Sequence, residues 1–390
     1  MKQVGLQPFD LRLDAMPVGQ DYHGALTVHG PGGGSTRDRI YIFDFQQVID
    51  LSGAVFRRVG ELVNAGEFSR ASLADASLVS LLNRLNLSLY GIRVAEDGRT
   101  LRDVMMRVLS GPSLPTMIVS GAMRMIPWEL TSPERSSDSG EMLGGRMHIV
   151  GSTDPEVRLN SLGGRAGYRP KPRTNVLAIP NPIRLRAIGN TALDGAAAEA
   201  LLVKAPNMMT TGSIAPELVR GGPKDPLFSH FGPLGYDLVH VFAHCDYEGR
   251  EFRLRVSDSV DLSRTDFFEH EAAFPTNAFH FLNVCNGAPN PDNRTFSLLD
   301  YLAKQHYAGG VLASLTPVRS TAAVAMASAF YAGFLPQSNQ HPGRSAADAL
   351  MAARLELWDQ DLAAGYLYRT YGRQDVTLQP VDKILETANV

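Results

Sequence analysis

The sequence predicts an α/β protein of three layers, in which a mainly parallel β-sheet lies between helices. After Thr174, short apolar runs alternate with stretches whose apolar residues recur at helical spacing. The apolar runs are short and uninterrupted, which is typical of strands that are buried on both faces of a parallel sheet. Strands that alternate with helices in this way form βαβ units, so we expect an α/β/α domain with a small α+β region before it.

The individual elements follow from the same pattern. Strands are predicted at residues 175–179, 237–244, 250–256, 278–284 and 310–315. Helices are predicted at residues 196–203, 215–219, 296–307, 321–334 and 345–368. Ser345 and Asp348 have the spacing of a capping box, which indicates where the last helix begins.

The first part of the chain has a different pattern. Residues 24–45 alternate around a glycine-rich centre and predict a β-hairpin whose second strand reaches Phe45. Helical spacing follows at residues 71–89 and 101–109, and residues 117–119 and 125–130 predict a short strand pair. Residues 131–174 are rich in Ser, Gly, Pro and Arg without a sustained period, so we expect a long exposed loop there.

Composition excludes several classes of protein. Of the 390 residues 44% are hydrophobic and 20% are charged, which is ordinary for a folded protein. The formal net charge is −3 and no long run of Lys and Arg occurs, so we expect no nucleic-acid partner. Residues 1–10 lack the pattern of a secretion signal, and no apolar run approaches the roughly 20 residues of a membrane span. A cytoplasmic protein with no membrane partner is therefore expected.

Two strand ends carry residues suited to nucleophilic catalysis. His244 ends the strand predicted at 237–244, and Cys285 follows the strand predicted at 278–284. The carboxyl ends of parallel strands meet at one edge of a sheet, where ligands bind. An imidazole can take the proton of a thiol as its sulfur attacks a carbonyl, so His244 is the candidate base and Cys285 the candidate nucleophile. The backbone N–H groups of Cys285 and Cys245 are the nearest candidates to bind the oxyanion.

Other interpretations of these residues remain open. A histidine at a strand end is often only hydrogen-bonded in the core, and free cysteine is among the most buried residue types. His240 and His244 lie about 13 Å apart along a strand, which argues against a shared zinc ion. A disulfide between the only two cysteines is unexpected in a reducing cytoplasm. The glycine run 32–34 lacks the Lys of a phosphate-binding loop, which argues against a nucleotide site. From these two arguments we expect neither a metal nor a cofactor.

Several motifs occur in an order that is more specific than any one of them. They are residues 125–130 (MIPWEL), 177–182 (LAIPNP), 196–202 (AAAEALL), 236–244 (YDLVHVFAH), 281–287 (FLNVCNG) and 316–318 (TPV). This order resembles the CHAT domain, a bacterial branch of the caspase, separase and gingipain clan of cysteine peptidases. The resemblance covers roughly residues 85–376. It leaves residues 1–84 as an N-terminal region of unknown role and residues 377–390 as a tail.

The resemblance implies a caspase-like fold with His244 and Cys285 as the catalytic dyad. It further implies an endopeptidase that cleaves protein substrates through a thioester acyl-enzyme, with a regulatory protein as a possible partner and a role in bacterial stress or antiviral defence. Two positions depart from the family: Cys245 stands where a Gly usually follows the catalytic His, and Arg319 stands where an acidic residue often follows the Pro-Val pair. A catalytically idle CHAT scaffold is the main alternative, and a metal or nucleotide enzyme is the other.

Specificity is predicted from the residue two positions before the nucleophile. In the related metacaspases that residue is acidic and pairs with Arg or Lys of the substrate, whereas here it is Asn283. An amide cannot replace the charge, so we expect no strong preference for basic residues. Asp246 and Glu248 follow His244 and would restore acidity if their loop turned inward. Asn283 and Asp246 are thus the candidate substrate contacts.

Overall fold

The computed structural model of this chain describes most of the predicted elements. The described residues are 11–18, 21–29, 35–41, 45–94, 98–111, 114–134, 142–152, 176–179, 183–189, 214–220, 238–248, 251–257, 260–269, 279–285, 287–288, 297–299, 310–335, 343–372 and 377–380. The chain forms two compact units, the first made of residues 1–59, 71–173 and 290–292, and the second of residues 60–70, 174–289 and 293–390. The division predicted after residue 84 falls inside the first unit.

The first unit combines seven strands with helices. The strands are β1 (Leu11–Val18), β2 (Asp21–His29), β3 (Ser35–Tyr41), β4 (Arg93–Val94), β5 (Arg99–Thr100), β6 (Thr116–Gly121) and β7 (His148–Gly151). Their order is β7-β6-β1-β2-β3-β4-β5, with parallel pairing from β7 to β1 and antiparallel pairing after β1. The helices in the same part of the sequence are α1 (Phe45–Ala65), α2 (Arg70–Leu73), α3 (Ala76–Tyr90) and α4 (Leu101–Leu109).

Most predictions for this unit are confirmed. The hairpin is β2 and β3, and the two helical patterns are α3 and α4. Thr100 and Asp103 form a reciprocal capping box that begins α4. Helix α1 was not predicted, and the expectation that Phe45 ends a strand is wrong because Phe45 is the first residue of this helix. Its buried residues Val48, Val55 and Val59 recur at the spacing of one helix face.

Two expectations about residues 117–174 are corrected. Residues 117–119 lie in β6, but residues 125–130 belong to two 3₁₀ turns rather than a strand. Trp128 Nε1 donates a hydrogen bond to the Met123 carbonyl at 2.8 Å, which folds the chain back on itself. The predicted exposed loop contains the strand β7, in which Ile149 and Val150 are buried. Residues 135–141 and 153–175 of that loop lie outside the described residues.

The second unit contains the predicted parallel sheet. Its strands are β8 (Val176–Ile179), β9 (Ile183–Gly189), β10 (Ile214–Arg220), β11 (Leu238–Glu248), β12 (Glu251–Ser257), β13 (Val260–Ser263), β14 (Phe279–Val284), β15 (Gly310–Ser314), β16 (Tyr368–Tyr371) and β17 (Thr377–Pro380). The order β10-β9-β11-β14-β15 is parallel throughout, and β16 is antiparallel to β15. Helices α5 (Arg264–Glu269), α6 (Ser320–Phe334) and α7 (Ala346–Asp359) complete the described elements. The predicted α/β class with a mainly parallel sheet is confirmed.

Some element predictions in this unit are wrong. Residues 215–219 were expected to be helical but lie in β10, because pairing with β9 decides the conformation of a short run that contains Pro216. The helix predicted at 345–368 ends at Asp359, and the chain then returns as β16. The strand predicted at 175–179 is β8, which pairs with β17 in the tail rather than with the main sheet. The helix predicted at 196–203 lies outside the described residues, as does most of the one at 296–307.

Aromatic packing joins α6 to one face of the sheet. Phe279 and Phe281 of β14 contact Phe330 and Phe334 of α6 with ring centroids 4.6–5.8 Å apart. Each such ring buries a large apolar area, so these contacts hold α6 against β14. Among the described residues, no helix is long and apolar enough to cross a membrane.

Candidate active site

The pairing of β11 with β14 brings the two predicted catalytic residues together. These strands are parallel and in register up to Phe242 opposite Asn283 and Ala243 opposite Val284. His244 directly follows Ala243, and Cys285 directly follows Val284, so they occupy equivalent positions after the last pair of the two strands. Neighbouring strands lie about 5 Å apart, and residues in register point to the same side of the sheet. The two residues predicted from strand ends therefore follow equivalent positions of neighbouring strands.

The side of the sheet that carries the dyad is the side covered by α6. Side chains alternate along a strand, so His244 shares a face with Phe242, and Cys285 shares it with Asn283. Phe242 and Ala323 of α6 are buried in one apolar cluster, and Val318 packs against it. This cluster fixes the segment before α6 next to the ends of β11 and β14.

Cys285 is partly buried, and burial and nearby backbone groups act on its pKa in opposite directions. Burial raises the pKa of the Cys285 thiol, and the nearby carboxylate of Asp246 adds to the increase. The backbone N–H of Val318 opposes the effect, as does the N–H of Cys285 itself. Arg319 is the N-cap of α6, so the positive end of that helix lies beside the sulfur and also favours the thiolate.

His244 lies within a strand rather than in a loop. Strand β11 continues past the end of β14 and forms a hairpin with β12, in which His244 is opposite Arg255. The His244 side chain is exposed, but the protein around the ring still removes part of its hydration, which lowers its pKa. The neighbouring Asp246 opposes this decrease in pKa, and Arg255 adds to it. At neutral pH the ring is therefore uncharged, which is the form that can accept a proton.

Asp246 is exposed and lies beside Arg255. Its side chain is 68% exposed, and one carboxylate oxygen lies 3.9 Å from the Arg255 guanidinium. Arg255 in turn contacts Asp261 of β13 at 3.3 Å. Asp246 and Glu248 belong to β11, so they lie in a strand and not in a loop that could turn inward.

Asn283 is buried, and its amide is fully engaged. Its nitrogen donates to the Ala323 carbonyl at 3.0 Å, and Tyr368 donates its hydroxyl proton to the Asn283 oxygen at 2.5 Å. Buried Arg354 of α7 donates to the Tyr368 carbonyl at 2.7 Å and so fixes the start of β16. The amide therefore ties the end of β14 to α6 and β16, which does not support the expectation that it lines a substrate pocket.

This network gives a test of local stability. Tyr368→Phe is expected to lower the free energy of unfolding by about 1–3 kcal/mol, because the buried Asn283 oxygen loses its donor. Urea denaturation of the single variants and of a Tyr368→Phe/Asn283→Ala double variant measures the effect. The double variant should lose less stability than the sum of the two single-variant losses, because both single changes remove the same hydrogen bond. Strictly additive losses would contradict the assignment.

The turn after Cys285 is held by backbone groups. Val284 offers its carbonyl to the Gly287 N–H at 3.2 Å and to the Ser314 hydroxyl. The Ala288 N–H donates to the Ser314 carbonyl at 3.0 Å, which ties the turn to β15. A Cβ at position 287 would lie 2.9 Å from Val284 Cγ2, so any other residue there requires the Val284 side chain to shift.

The remaining candidates are placed in the core. Cys245 is fully buried one residue beyond His244, and burial raises its thiol pKa. Buried His240 has its Nδ1 2.9 Å from the Tyr331 hydroxyl, and burial lowers its pKa to about 3. A buried, uncharged imidazole beside a tyrosine hydroxyl is typical of a structural residue. No group of three or more metal-ligating side chains occurs in the part of the chain that the structure describes.

Comparisons with known proteins identify a family and solved structures of similar fold. A family model described as the CHAT domain matches residues 95–370. The Saccharomyces cerevisiae separase in its complex with securin superposes with a TM-score of 0.58 at 11% identity, covering 95% of this chain and 30% of that chain. A second structure of that complex gives 0.54 at 11% identity with the same coverage. The Arg-specific cysteine proteinase gingipain R gives 0.42 at 11% identity, covering 85% of this chain and 75% of that chain.

These likenesses differ in what they show. No curated protein matches this chain. At 11% identity the separase superposition shows a shared fold and nothing of activity, and this chain spans only 30% of that separase chain. The match of residues 95–370 covers more than half of the 390-residue chain and begins inside the first compact unit.

Proposed function

We propose that this chain, which belongs to the CHAT domain family, is a cysteine peptidase in which Cys285 is the nucleophile and His244 the general base. The observation that carries the proposal is the register of β11 and β14, which puts both residues one position past the last pair of the same ladder. The neutral imidazole and the protonated thiol together form a complete acid–base pair at neutral pH.

The proposed mechanism moves one proton between these groups. His244 takes the thiol proton as the Cys285 sulfur attacks the scissile carbonyl, and the resulting imidazolium gives that proton to the leaving amine. The products of this half-reaction are a thioester acyl-enzyme and a free amine. Water, deprotonated by His244, then attacks the thioester and releases the carboxylate. The N–H groups of Cys285 and Cys245 are the proposed donors to the oxyanion.

The proposed substrate is a protein segment without a required basic residue before the scissile bond. Asn283 is committed to structural hydrogen bonds, and the exposed Asp246 lies near the guanidinium of Arg255, which offsets its charge. We further propose, by analogy with the family, a cytoplasmic effector of a bacterial stress or antiviral response that a protein partner regulates. A catalytically idle scaffold is the alternative that a direct test must exclude.

Active-site labelling provides that test. A peptide library bearing a chloromethyl ketone is expected to modify one residue per chain, Cys285, because the ketone recruits both the sulfur and the neighbouring imidazole. Proteolytic digestion and mass spectrometry locate the label, and His244→Ala should label much more slowly. An idle scaffold would react no faster than a cysteine in an unfolded peptide, and labelling confined to Cys245 would overturn the assignment.

A further inference from the structure

The segment before α6 connects the nucleophile to a distant part of the sequence. Val318 packs against Phe242 of β11 and Ala323 of α6, its backbone N–H lowers the pKa of the Cys285 thiol, and Arg319 follows it as the N-cap of α6. Arg319 Nε donates to the Val63 carbonyl at 2.9 Å, and its Nη2 donates to the Asn64 carbonyl at 3.2 Å. All of these residues belong to the second compact unit, which includes residues 60–70.

The contacts of Arg319 are made with the end of helix α1. The last carbonyls of a helix have no partner within the helix and carry its negative dipole end, where a guanidinium binds well. Helix α1 has no basic residue in its own last turn, so Arg319 supplies the cation from 255 residues further along the chain. The hydroxyl of Thr321 bonds Glu67, which adds a second link between the start of α6 and the same segment.

Residues 60–70 are themselves bonded to other parts of the second unit. The Ala363 N–H donates to the Phe68 carbonyl at 2.8 Å, and Ser69 forms an isolated bridge with Leu362. Arg70 Nε donates to the Trp358 carbonyl at 3.0 Å at the end of α7. Residues 68–70 are thus fixed to the end of α7 and the residues after it, which restrains the carbonyls of Val63 and Asn64 that Arg319 binds.

We propose that Arg319 is a positioning residue that holds the Val318 N–H on the Cys285 sulfur by tying the segment before α6 to the end of α1. The readiness of the nucleophile then depends on residues 60–70, which lie outside the region that the family model matches. Any partner that displaced this segment would weaken the nucleophile without touching it. The proposal rests on the proposed function for its effect on cleavage, but its effect on the thiol does not.

Alkylation of Cys285 by iodoacetamide as a function of pH tests the proposal directly. A hydrogen bond to a thiolate lowers its pKa, so Arg319→Ala is expected to move the midpoint upward and slow alkylation at pH 7 three- to tenfold, an effect of about 0.7–1.4 kcal/mol. Arg319→Lys keeps a cation at the helix end and should recover part of the loss. Arg84→Ala, which removes an exposed arginine on α3, should leave the midpoint unchanged.

The outcomes separate this proposal from the proposed function. With a cleaved peptide, Arg319→Ala should lower kcat by a similar factor and leave KM unchanged, since the Arg319 guanidinium is bonded to the Val63 and Asn64 carbonyls. An Arg319→Ala variant that melts like the wild type and keeps its alkylation midpoint would overturn the positioning role, whatever the protein cleaves. If the wild type cleaves nothing but the midpoint still moves, the positioning role stands and the peptidase assignment fails.

Discussion

Replacing Cys285 by Ala is expected to lower kcat/KM for peptide cleavage by at least about a thousandfold, and replacing His244 by Ala should cost as much. The two residues form one unit, because the sulfur is a weak nucleophile until the imidazole takes its proton. The double variant should therefore be no worse than the poorer single variant. Cleavage of a fluorogenic peptide library, followed by kinetics on the best substrate, measures all three.

Cys245 supplies the matched control. It is one residue beyond His244 and fully buried on the opposite face of β11, so Cys245→Ala removes a thiol without touching the dyad. Its backbone N–H, the proposed oxyanion donor, is kept. We expect activity within a few-fold of the wild type, and thermal unfolding confirms that each variant is folded. Wild-type turnover in Cys285→Ala, or inactivity in Cys245→Ala alone, would show that the nucleophile is misassigned.

The positions of His244 and Cys285 at neighbouring strands could be predicted because strand ends are visible in a sequence. The apolar runs before His244 and Cys285 are short and uninterrupted, and parallel strands place their carboxyl ends at one edge. The structure adds that β11 does not stop at His244. Buried Cys245 and exposed Asp246 extend β11 to Glu248, where the sequence interpretation placed a loop, and the strand predicted at 250–256 is β12.

The contacts that support the dyad could not be predicted in the same way. Val318 acts through its N–H, which every residue except proline carries, so its identity gives no signal. The role of Arg319 depends on carbonyls at the end of α1, a helix whose beginning the sequence pattern assigned to a strand. Whether the Asn283 amide faces a substrate or the core is decided by Tyr368, 85 residues later in the chain.

The pH dependence of the thiol distinguishes two resting states of the dyad. In a preformed ion pair, Cys285 would be a thiolate at pH 5–7 and would react with iodoacetamide at a nearly constant rate over that range. Here burial raises the pKa of Cys285 and lowers the pKa of His244, so we expect the neutral pair to be the resting state. The thiolate fraction then grows about tenfold per pH unit below the thiol pKa.

We therefore expect the alkylation rate of Cys285 to rise about a hundredfold between pH 6 and pH 8, with a midpoint above the ordinary thiol value of about 8.5. Peptide cleavage should respond differently, because it needs an uncharged imidazole and a proton to transfer. Its kcat/KM should rise with pH through a value below 6.5, the ordinary pKa of His, and then level off. Measurement in a Cys245→Ala background leaves a single thiol, so mass spectrometry follows Cys285 alone. An alkylation rate that is flat from pH 5 to pH 8, and that becomes steep in His244→Ala, would establish the ion pair instead.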